Sequence, residues 1–509
     1  MTNKLFKISF WAIIIFALII RLLPARNNNF YFTMDQGNDA VYVREILTRH
    51  QILLDGPETG IIGVYHDPFW YYFIGIGYLA TGGHPFGAVL MLIILNVATT
   101  AIIILKIAKE VSKTTGLLIG FSLQFFWWFY DASRYGFNPF PLVALSIFLI
   151  LLLGDFLKGR RQSFILAAVP VGLAFHCESA AAITFATLYF LVGCWGIAKK
   201  KLAPPIILAG IFLLALFFVP RLISEIKSGF AQSKVLKREL ANPNGIFGQT
   251  RYQFISIKFK EILTKRITPQ SNEAGIAVLT LVFLLFLKSS PKNQFTRRFT
   301  YLSLTLVLIS WAWFGSNRGW QVWHTVYIKP ILFMAILLML ANIIKVKTNA
   351  QRLISLFLLI IILISQMLFF KDRYLQFAYS SNDPSLLTNE LAAVDWVYQK
   401  SAGRGFYVYS YLPSVYDYPY QYLFWWYGRQ HYGYVPCEYS TFPNVDDFFV
   451  PGLKHYQSPQ KECSQYRFLI VEPDINKHLQ DSWLTQVRKD TILLEEATFG
   501  AVRVEKRQL

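Results

Sequence analysis

The chain has 509 residues, of which 54% are hydrophobic, 17% aromatic and 16% charged, with a formal net charge of +19. A soluble globular protein carries about 25% charged residues; this composition, with long apolar runs recurring from Phe6 to Phe370, excludes an ordinary soluble domain and describes a polytopic membrane protein. Nor does the positive charge require nucleic acid: Lys and Arg gather at the ends of apolar runs, as cytoplasmic loops demand, and suit anionic lipid headgroups.

Lys4 and Lys7 precede an apolar run that ends at Leu23. Pro24-Ala25-Arg26 follows without a small-residue cleavage site, so the run reads as an uncleaved first helix that starts in the cytoplasm. In the outer loop 24–85, the stretch from Tyr31 to Tyr72 is polar, turn-rich and acidic where most of the chain is greasy and basic. Within it, Thr33-x-x-Gln36 is a capping-box pattern that predicts a helix through about His50. Val41, Val43, Ile46 and Leu47 give that helix an apolar side, expected to lie on the membrane surface. Residues 69–81 are apolar but short, and read as a juxtamembrane or re-entrant helix.

Full spans follow at about 86–105, 115–130, 139–157, 163–176, 179–198, 203–220, 274–290, 299–314, 324–344 and 353–370, giving about eleven transmembrane helices with the first. The basic clusters around Lys106, Lys158, Lys199, Lys288 and Lys345 all fall on one side, the cytoplasmic one. The loop 221–273 is the exception: it carries ten Lys and Arg against four Glu, yet alternation places it outside. Some of its charges are therefore expected to serve an anionic ligand.

After the membrane module 1–370, residues 371–509 read as a small extracytoplasmic α/β domain. Residues 386–402 have helical spacing, and 405–412, 466–473 and 500–506 read as strands, with an aromatic run over 416–434. The fold class expected is mainly α, polytopic, with a small C-terminal α/β domain. Cys177 and Cys194 lie in apolar spans as small hydrophobes. Cys437 and Cys463 can form a disulfide if the tail is exported, worth roughly 3 kcal/mol in the chain-entropy model.

Five polar clusters sit at the outer face, whereas the inner loops are short and simply basic. Asp35 and Asp39 share a helix face at i and i+4, and the helix N-terminus favours their charged form, which suits a base or a metal ligand; a capping role competes. His66 and Asp67 lead into Phe69-Trp70-Tyr71-Tyr72, an interfacial aromatic belt. Arg134 and Asn138 suit a phosphate or sugar hydroxyls, against snorkelling and capping. His176 and Glu178 interrupt an apolar segment, where ionisable groups are costly. Arg318, His324, Tyr327 and Lys329 form the last patch, whose two cations can hold a lipid phosphate or snorkel.

In order along the chain, Asp35-Gln36-Gly37-Asn38-Asp39-Ala40 and then His66-Asp67-Pro68-Phe69-Trp70-Tyr71-Tyr72 resemble motifs of the multispanning C-type (GT-C) glycosyltransferases. Within them the chain is similar to bacterial relatives of the dolichyl-phosphate-mannose protein mannosyltransferases and of the aminoarabinose lipid A transferase. The similarity extends to Arg134-Tyr-Gly-Phe-Asn138-Pro139, the His176 segment, Val219-Pro220-Arg221 through Gly229-Phe230, and His324-Thr-Val-Tyr327. In that family the first-loop Asp is catalytic, which carries over to Asp35. Gln36 stands where many members have Glu, so a second acid would come from Asp39 or elsewhere. Relatives often have Lys-Pro-Pro or His-Gly-Pro where this chain has His66-Asp67-Pro68, which makes Asp67 unusual.

The resemblance implies inverting transfer of a sugar from a polyprenyl phosphate, undecaprenyl phosphate in a bacterium, to a hydroxyl of a protein, lipid or glycan. The setting would be the outer face of the cytoplasmic membrane. Asp35 would be the base, and Arg134, Arg318, Lys329 or the basic loop would hold the phosphate. The prenyl chain would lie in an apolar groove between helices. A divalent cation (Mg or Mn) at Asp35, Asp39 and Glu178 is compatible with hard oxygen ligands, although the protein-mannosyltransferase side of the family does not imply one. The alternative is a polyprenyl-lipid or glycolipid transporter, which predicts internal repeats and ionisable residues near mid-membrane. No repeat is visible, and the polar clusters keep to one face.

Overall fold

The computed structural model describes residues 1–241, 268, 271–288, 293–316, 321–346, 348–378, 382–413, 416–444, 450, 452–456 and 463–509. Among these, five helices are long and apolar enough to cross a membrane, or six if one bent pair counts as a single span. They include α1 (Asn3–Ala25), and shorter helices follow in the first loop, α2 (Met34–Arg49) and α3 (Phe69–Ala80). The bundle continues with α4 (Phe86–Glu110), α5 (Lys113–Gln124), α6 (Trp127–Asp131), α7 (Pro141–Leu157), α8 (Gln162–Cys177) and α9 (Ser179–Ala198). Then come α10 (Pro204–Leu216), α11 (Val219–Lys227), α12 (Ala231–Ala241), α13 (Asn272–Lys288), α14 (Gln294–Ser316), α15 (Ile328–Val346) and α16 (Asn349–Ala378).

Two expected spans are broken. The 115–130 run ends as a helix at Gln124 and restarts as α6, because its rings turn sideways into the bundle: Phe126 stacks on Phe333 with centroids 4.2 Å apart. The 203–220 run bends by 50° between α10 and α11, where Pro220 sits in the first turn of the new helix. A proline is tolerated there because its missing N–H would have had no partner in the helix anyway.

A polar knot inside the bundle, hidden in the first apolar run, ties four segments together. Arg21 of α1 is 3% exposed and donates to Asn96 Oδ1 and Gln124 Oε1 at 2.8 Å, and to Ser133 Oγ and the Ala17 carbonyl at 2.9 Å. A buried guanidinium is tolerable only when its donors are met, as they are here.

The two ends of the bundle differ. At one end Lys106 Nζ lies 2.6 Å from Asp155, Lys158 lies 2.8 Å from Glu110, and Lys345 donates to Thr115 at 2.9 Å. At the other end lie the first loop and the C-terminal domain. That domain contains α17 (Leu387–Ser401), α18 (Tyr418–Leu423), α19 (Leu453–Tyr456) and α20 (Lys477–Arg488). Its five strands are β1 (Gly405–Tyr411), β2 (Glu438–Ser440), β3 (Cys463–Val471), β4 (Ile492–Phe499) and β5 (Val502–Gln508), in the order β2-β1-β3-β5-β4. β1 runs parallel to β2 and β3, whereas β3, β5 and β4 are antiparallel neighbours. Cys437 and Cys463 are joined as a disulfide, with Cα atoms 6.2 Å apart. The last membrane helix runs on to Ala378, past the end of the apolar pattern at Phe370.

Helix α2 begins as the capping box predicts: the Gln36 side chain accepts from the Thr33 N–H at 3.0 Å. It does not simply rest on a membrane surface. Ala40, Val41 and Val43 are fully buried, and Gly37 touches Pro419 and Tyr418 so closely that a Cβ would fall 2.3 Å from the Pro419 nitrogen. Further along, the Arg44 guanidinium lies 3.8 Å over the Tyr456 ring, and Thr48 shares a 2.8 Å hydrogen bond with the Tyr456 hydroxyl. The first loop is thus sandwiched between the bundle and the C-terminal domain.

Candidate active site

The site is built in two parts on either side of the start of α3. The first part surrounds the N-terminus of α2. Asp35 reaches solvent, yet the protein around it is dense enough that burial raises its pKa above the ordinary carboxylate value. Asp39, one turn on, is buried, and Trp70 Nε1 donates to its Oδ2 at 2.6 Å. Burial pushes Asp39 well above the carboxylate range; the Trp70 bond pulls the other way and the nearby Asp35 adds to the rise. A narrow crevice lined by Tyr31, Gln36, Asp39, Tyr78 and Gly136 joins α2 to the loop after α6.

That loop brings Arg134. Its Nε donates to Asp131 at 3.0 Å, and its guanidinium lies 4.9 Å over the Tyr31 ring, 5.4 Å over Tyr135 and 5.6 Å over Trp127. Tyr135 feels Asp131, Arg134, Tyr31 and Asp35 together, so the first-loop carboxylate and this cation share one neighbourhood. Lys329 enters from α15, 3% exposed, with Nζ 3.7 Å over Trp128. The adjacent indoles of α6 therefore each present a cation, since an aromatic face attracts positive charge.

The second part surrounds His66 and Asp67. Asp67 accepts from Arg221 Nε of α11 at 3.1 Å, and Arg221 also donates to the Tyr65 carbonyl at 2.6 Å. Burial raises Asp67 to about 6 although Arg221 opposes the shift. His66 Nδ1 accepts from the Ser179 amide at 3.3 Å, which turns Nε2 toward Glu178, 3.9 Å away. Burial and the neighbouring Arg221 lower His66 to about 3, so it is neutral at pH 7. His324 approaches the other Glu178 oxygen with Nε2 at 3.8 Å, its Nδ1 accepting from the Gln321 amide at 3.2 Å. Glu178, in the break between α8 and α9, thus lies between two imidazoles, and burial raises it to about 7.

Three predicted residues do framework work. His176 Nδ1 accepts from the Phe69 amide at 3.2 Å and Nε2 bonds the Phe217 carbonyl at 2.9 Å, clamping the start of α3 to the end of α10. Asn138 donates to the Cys177 carbonyl at 2.6 Å, at the end of α8. Tyr327 is fully buried, its hydroxyl bonded to Ser310 at 2.6 Å and Thr184 at 2.8 Å. Arg318, and Arg251, Lys258, Lys260, Lys265 and Arg266 of the basic loop, lie outside the described residues. The start of that loop does join the site end: Asp55 accepts from Ser224 at 2.7 Å and from Gln232 at 2.8 Å.

The carboxylates named for a divalent cation do not converge. Glu178 keeps company with His66 and His324, not with Asp35 and Asp39, and among the described residues no group of three His, Cys, Asp or Glu is arranged to hold a metal ion. No chemical step is therefore routed through one.

Sequence reasoning overlooked Trp70 as the partner of Asp39 and Tyr31 as the platform for Arg134. The only signal for either was position, Tyr31 opening the polar stretch and Trp70 following His66-Asp67-Pro68. Trp70 also lines an apolar groove of about 650 Å³ that runs between α3, α4, α7 and α8, from Phe69 and Cys177 at the site end to Lys106 and Asp155 at the other.

Residues 65–223 match the family model of dolichyl-phosphate-mannose-protein mannosyltransferases. That stretch contains His66, Asp67, Arg134, His176, Glu178 and Arg221, but not Asp35. No curated protein matches the sequence. Among solved structures, ArnT from Cupriavidus metallidurans bound to undecaprenyl phosphate superposes with a TM-score of 0.59 at 11% identity, covering 99% of this chain and 98% of that one. The same protein in the apo state gives 0.57 at 11% identity, with 99% and 97% covered. At that identity the likeness concerns the fold, and the fold includes both the helical bundle and the small terminal sheet. Fold and family match together show a multi-pass membrane protein built on the fold of ArnT, with residues 65–223 that resemble the dolichyl-phosphate-mannose-protein mannosyltransferases.

Proposed function

We propose that the protein transfers a sugar, with inversion, from a polyprenyl-phosphate donor to an acceptor hydroxyl, with Asp35 as the base. The observation that carries this reading is the placement of Trp70, whose indole lines the apolar groove and holds Asp39 on the face of α2 shared with Asp35. A prenyl tail in that groove would leave its phosphate at the level of the site. The ArnT structure that shares the fold holds undecaprenyl phosphate, which supports the same class of carrier here.

In the reaction, Asp35 takes the proton of the acceptor hydroxyl as that oxygen bonds to the anomeric carbon. The bond from that carbon to the phosphate oxygen breaks, and the polyprenyl phosphate leaves. The leaving group needs positive charge rather than a strong acid, and Arg134 and Lys329 are buried cations that can supply it. Burial of Asp35 raises its pKa and so strengthens it as a base. Asp39 acts through position, fixed by Trp70, and the face of the membrane used is the one that carries the C-terminal domain.

The test is to incubate the purified full-length protein with a panel of radiolabelled undecaprenyl-phosphate sugars and to score free undecaprenyl phosphate. Release from at least one donor is expected. A protein that binds undecaprenyl phosphate but releases it from no donor, with or without candidate acceptors, would lack the activity. If it instead moved the intact donor across a vesicle membrane, the transporter reading would replace this one.

A further inference from the structure

A second amphipathic cleft lies away from the Trp70 groove, between the outer end of α1, the turn after α3 and the C-terminal domain. Its upper part is a cavity of about 580 Å³ walled by α17 and by residues Phe424–Tyr432, which form a π-helix. Such helices are rare, usually a single turn, and cluster at functional sites. This one spans nine residues and turns Trp426, Tyr427, Gln430 and His431 into the cleft. It is fastened to the membrane domain: Trp426 Nε1 and Gln430 Nε2 donate to the Gly82 carbonyl at 2.9 and 2.7 Å. Gly83 permits the approach with φ +88°, and a Cβ there would fall 2.6 Å from Trp426 Cδ1.

Below it, a cavity of about 570 Å³ is walled by Leu22, Leu23 and Phe86, with Arg26 beside them. The two cavities share Asn28 and His84. His84 Nδ1 accepts from the Phe86 amide at 3.0 Å, which leaves Nε2 as the donor side of the ring. The result is a greasy lower chamber opening into a polar, aromatic upper one.

We propose that this cleft binds a glycolipid, a membrane lipid carrying a neutral saccharide headgroup. Tyr427 and His431 stack in parallel with centroids 5.0 Å apart, offering flat faces of the kind that pack on sugar C–H bonds. Asp395, Gln430 and Asn28 supply acceptors and donors for hydroxyls. The upper lining contains one carboxylate and no Lys or Arg, which suits a neutral headgroup and not a phosphate-rich one. The leucines beneath are exposed side chains of the membrane-length apolar helix α1. Under the transferase reading, on which this clause alone rests, the acceptor is then a lipid-linked saccharide and not a protein hydroxyl.

The experiment measures retention of tritiated diglucosyl dioleoylglycerol, dioleoylglycerol and maltose on the full-length protein in detergent micelles. Expected is retention of the glycolipid at least tenfold above the tail alone or the sugar alone. Tyr427→Ala, and separately the double change Gln430→Ala with His431→Ala at two exposed side chains, should each lower it at least fivefold while undecaprenyl phosphate binding stays unchanged. Equal retention of dioleoylglycerol overturns the proposal, as does displacement of the glycolipid by phosphatidylglycerol or unchanged binding in the exposed double variant. Because the readout is binding, it fails independently of donor cleavage.

Discussion

The two ends of the helical bundle hold charge in opposite ways. At the end away from the C-terminal domain, Lys158 meets Glu110 and Lys106 meets Asp155 in simple ion pairs, and Arg160 joins Asp155 from an exposed position. At the other end the carboxylates are buried with few partners. Asp39 has one indole donor, Glu178 accepts from the Ala180 amide and has two imidazoles at nearly 4 Å, and one oxygen of Asp67 has no hydrogen-bond partner among the described residues. Burial raises the pKa of Asp35, Asp39, Asp67 and Glu178 alike. Acids whose pKa is raised by burial gather at functional sites, whereas simple ion pairs of the kind at the other end commonly anchor a bundle.

The sharpest way to break this contrast is Asp35→Asn. Transfer should fall by roughly 10²–10⁴-fold in kcat, with donor binding kept; full activity would remove Asp35 from the mechanism. As the proposed base, Asp35 should also set the acid limb of the wild-type pH profile. The base works only when ionised, and burial raises its pKa, so kcat/KM should be lost as pH falls through a value above the ordinary Asp pKa. In Asp35→Asn that limb should disappear from the residual rate. Next in size, Arg134→Gln should cost about 10²-fold in kcat, as loss of one charge-stabilising donor does elsewhere.

Smaller effects concern stability. Arg221→Met leaves Asp67, 1% exposed, without its cation, and should cost about 3 kcal/mol in thermal or denaturant unfolding at neutral pH. The sign follows from the raised pKa of Asp67: the penalty is full above that value and fades as pH falls and the carboxyl takes a proton. A loss that persists unchanged at acid pH would mean that packing, not charge, is the cause. Least of all, Lys158→Gln at the far end should change stability by less than about 1 kcal/mol and leave transfer untouched, because its side chain is 40% exposed.

Much of this could be read from the chain because the clues were local. The Thr33–Gln36 cap marked the start of α2 correctly, and its end fell at Arg49, one residue short of the predicted His50. The strands around 405–411 and 466–471 stood out by their β-branched and aromatic content, and the pairing of Cys437 with Cys463 matched the expectation for the tail. Clustering of the polar motifs at one end followed from alternation of the spans.

What escaped was decided by distant partners. Nothing local says that Trp70 points at Asp39, or that Tyr327 spends its hydroxyl on Ser310 and Thr184. Arg21 drew no reading because its partners Asn96, Gln124 and Ser133 lie far along the chain. Strand β4 was missed because, exposed along most of its length and with Glu495 and Glu496 adjacent, it lacks a core-facing alternation. The breaks at Phe125–Phe126 and Phe217–Phe218 were invisible to hydropathy, which does not distinguish a ring packed sideways from one facing lipid.

The stitch between the two ends of the chain has a further consequence. Phe32 N–H bonds the Ser385 carbonyl at 2.9 Å, Leu387 N–H bonds the Phe30 carbonyl at 3.0 Å, and Tyr31 pairs with Leu386 as an antiparallel bridge. The clasp joins the segment leading into α2 to the residues just before α17, on the far side of the membrane helices in sequence. The clasp can therefore close only once the chain has been made through Leu387. A chain stopped before Ser385 lacks this clasp on its first loop.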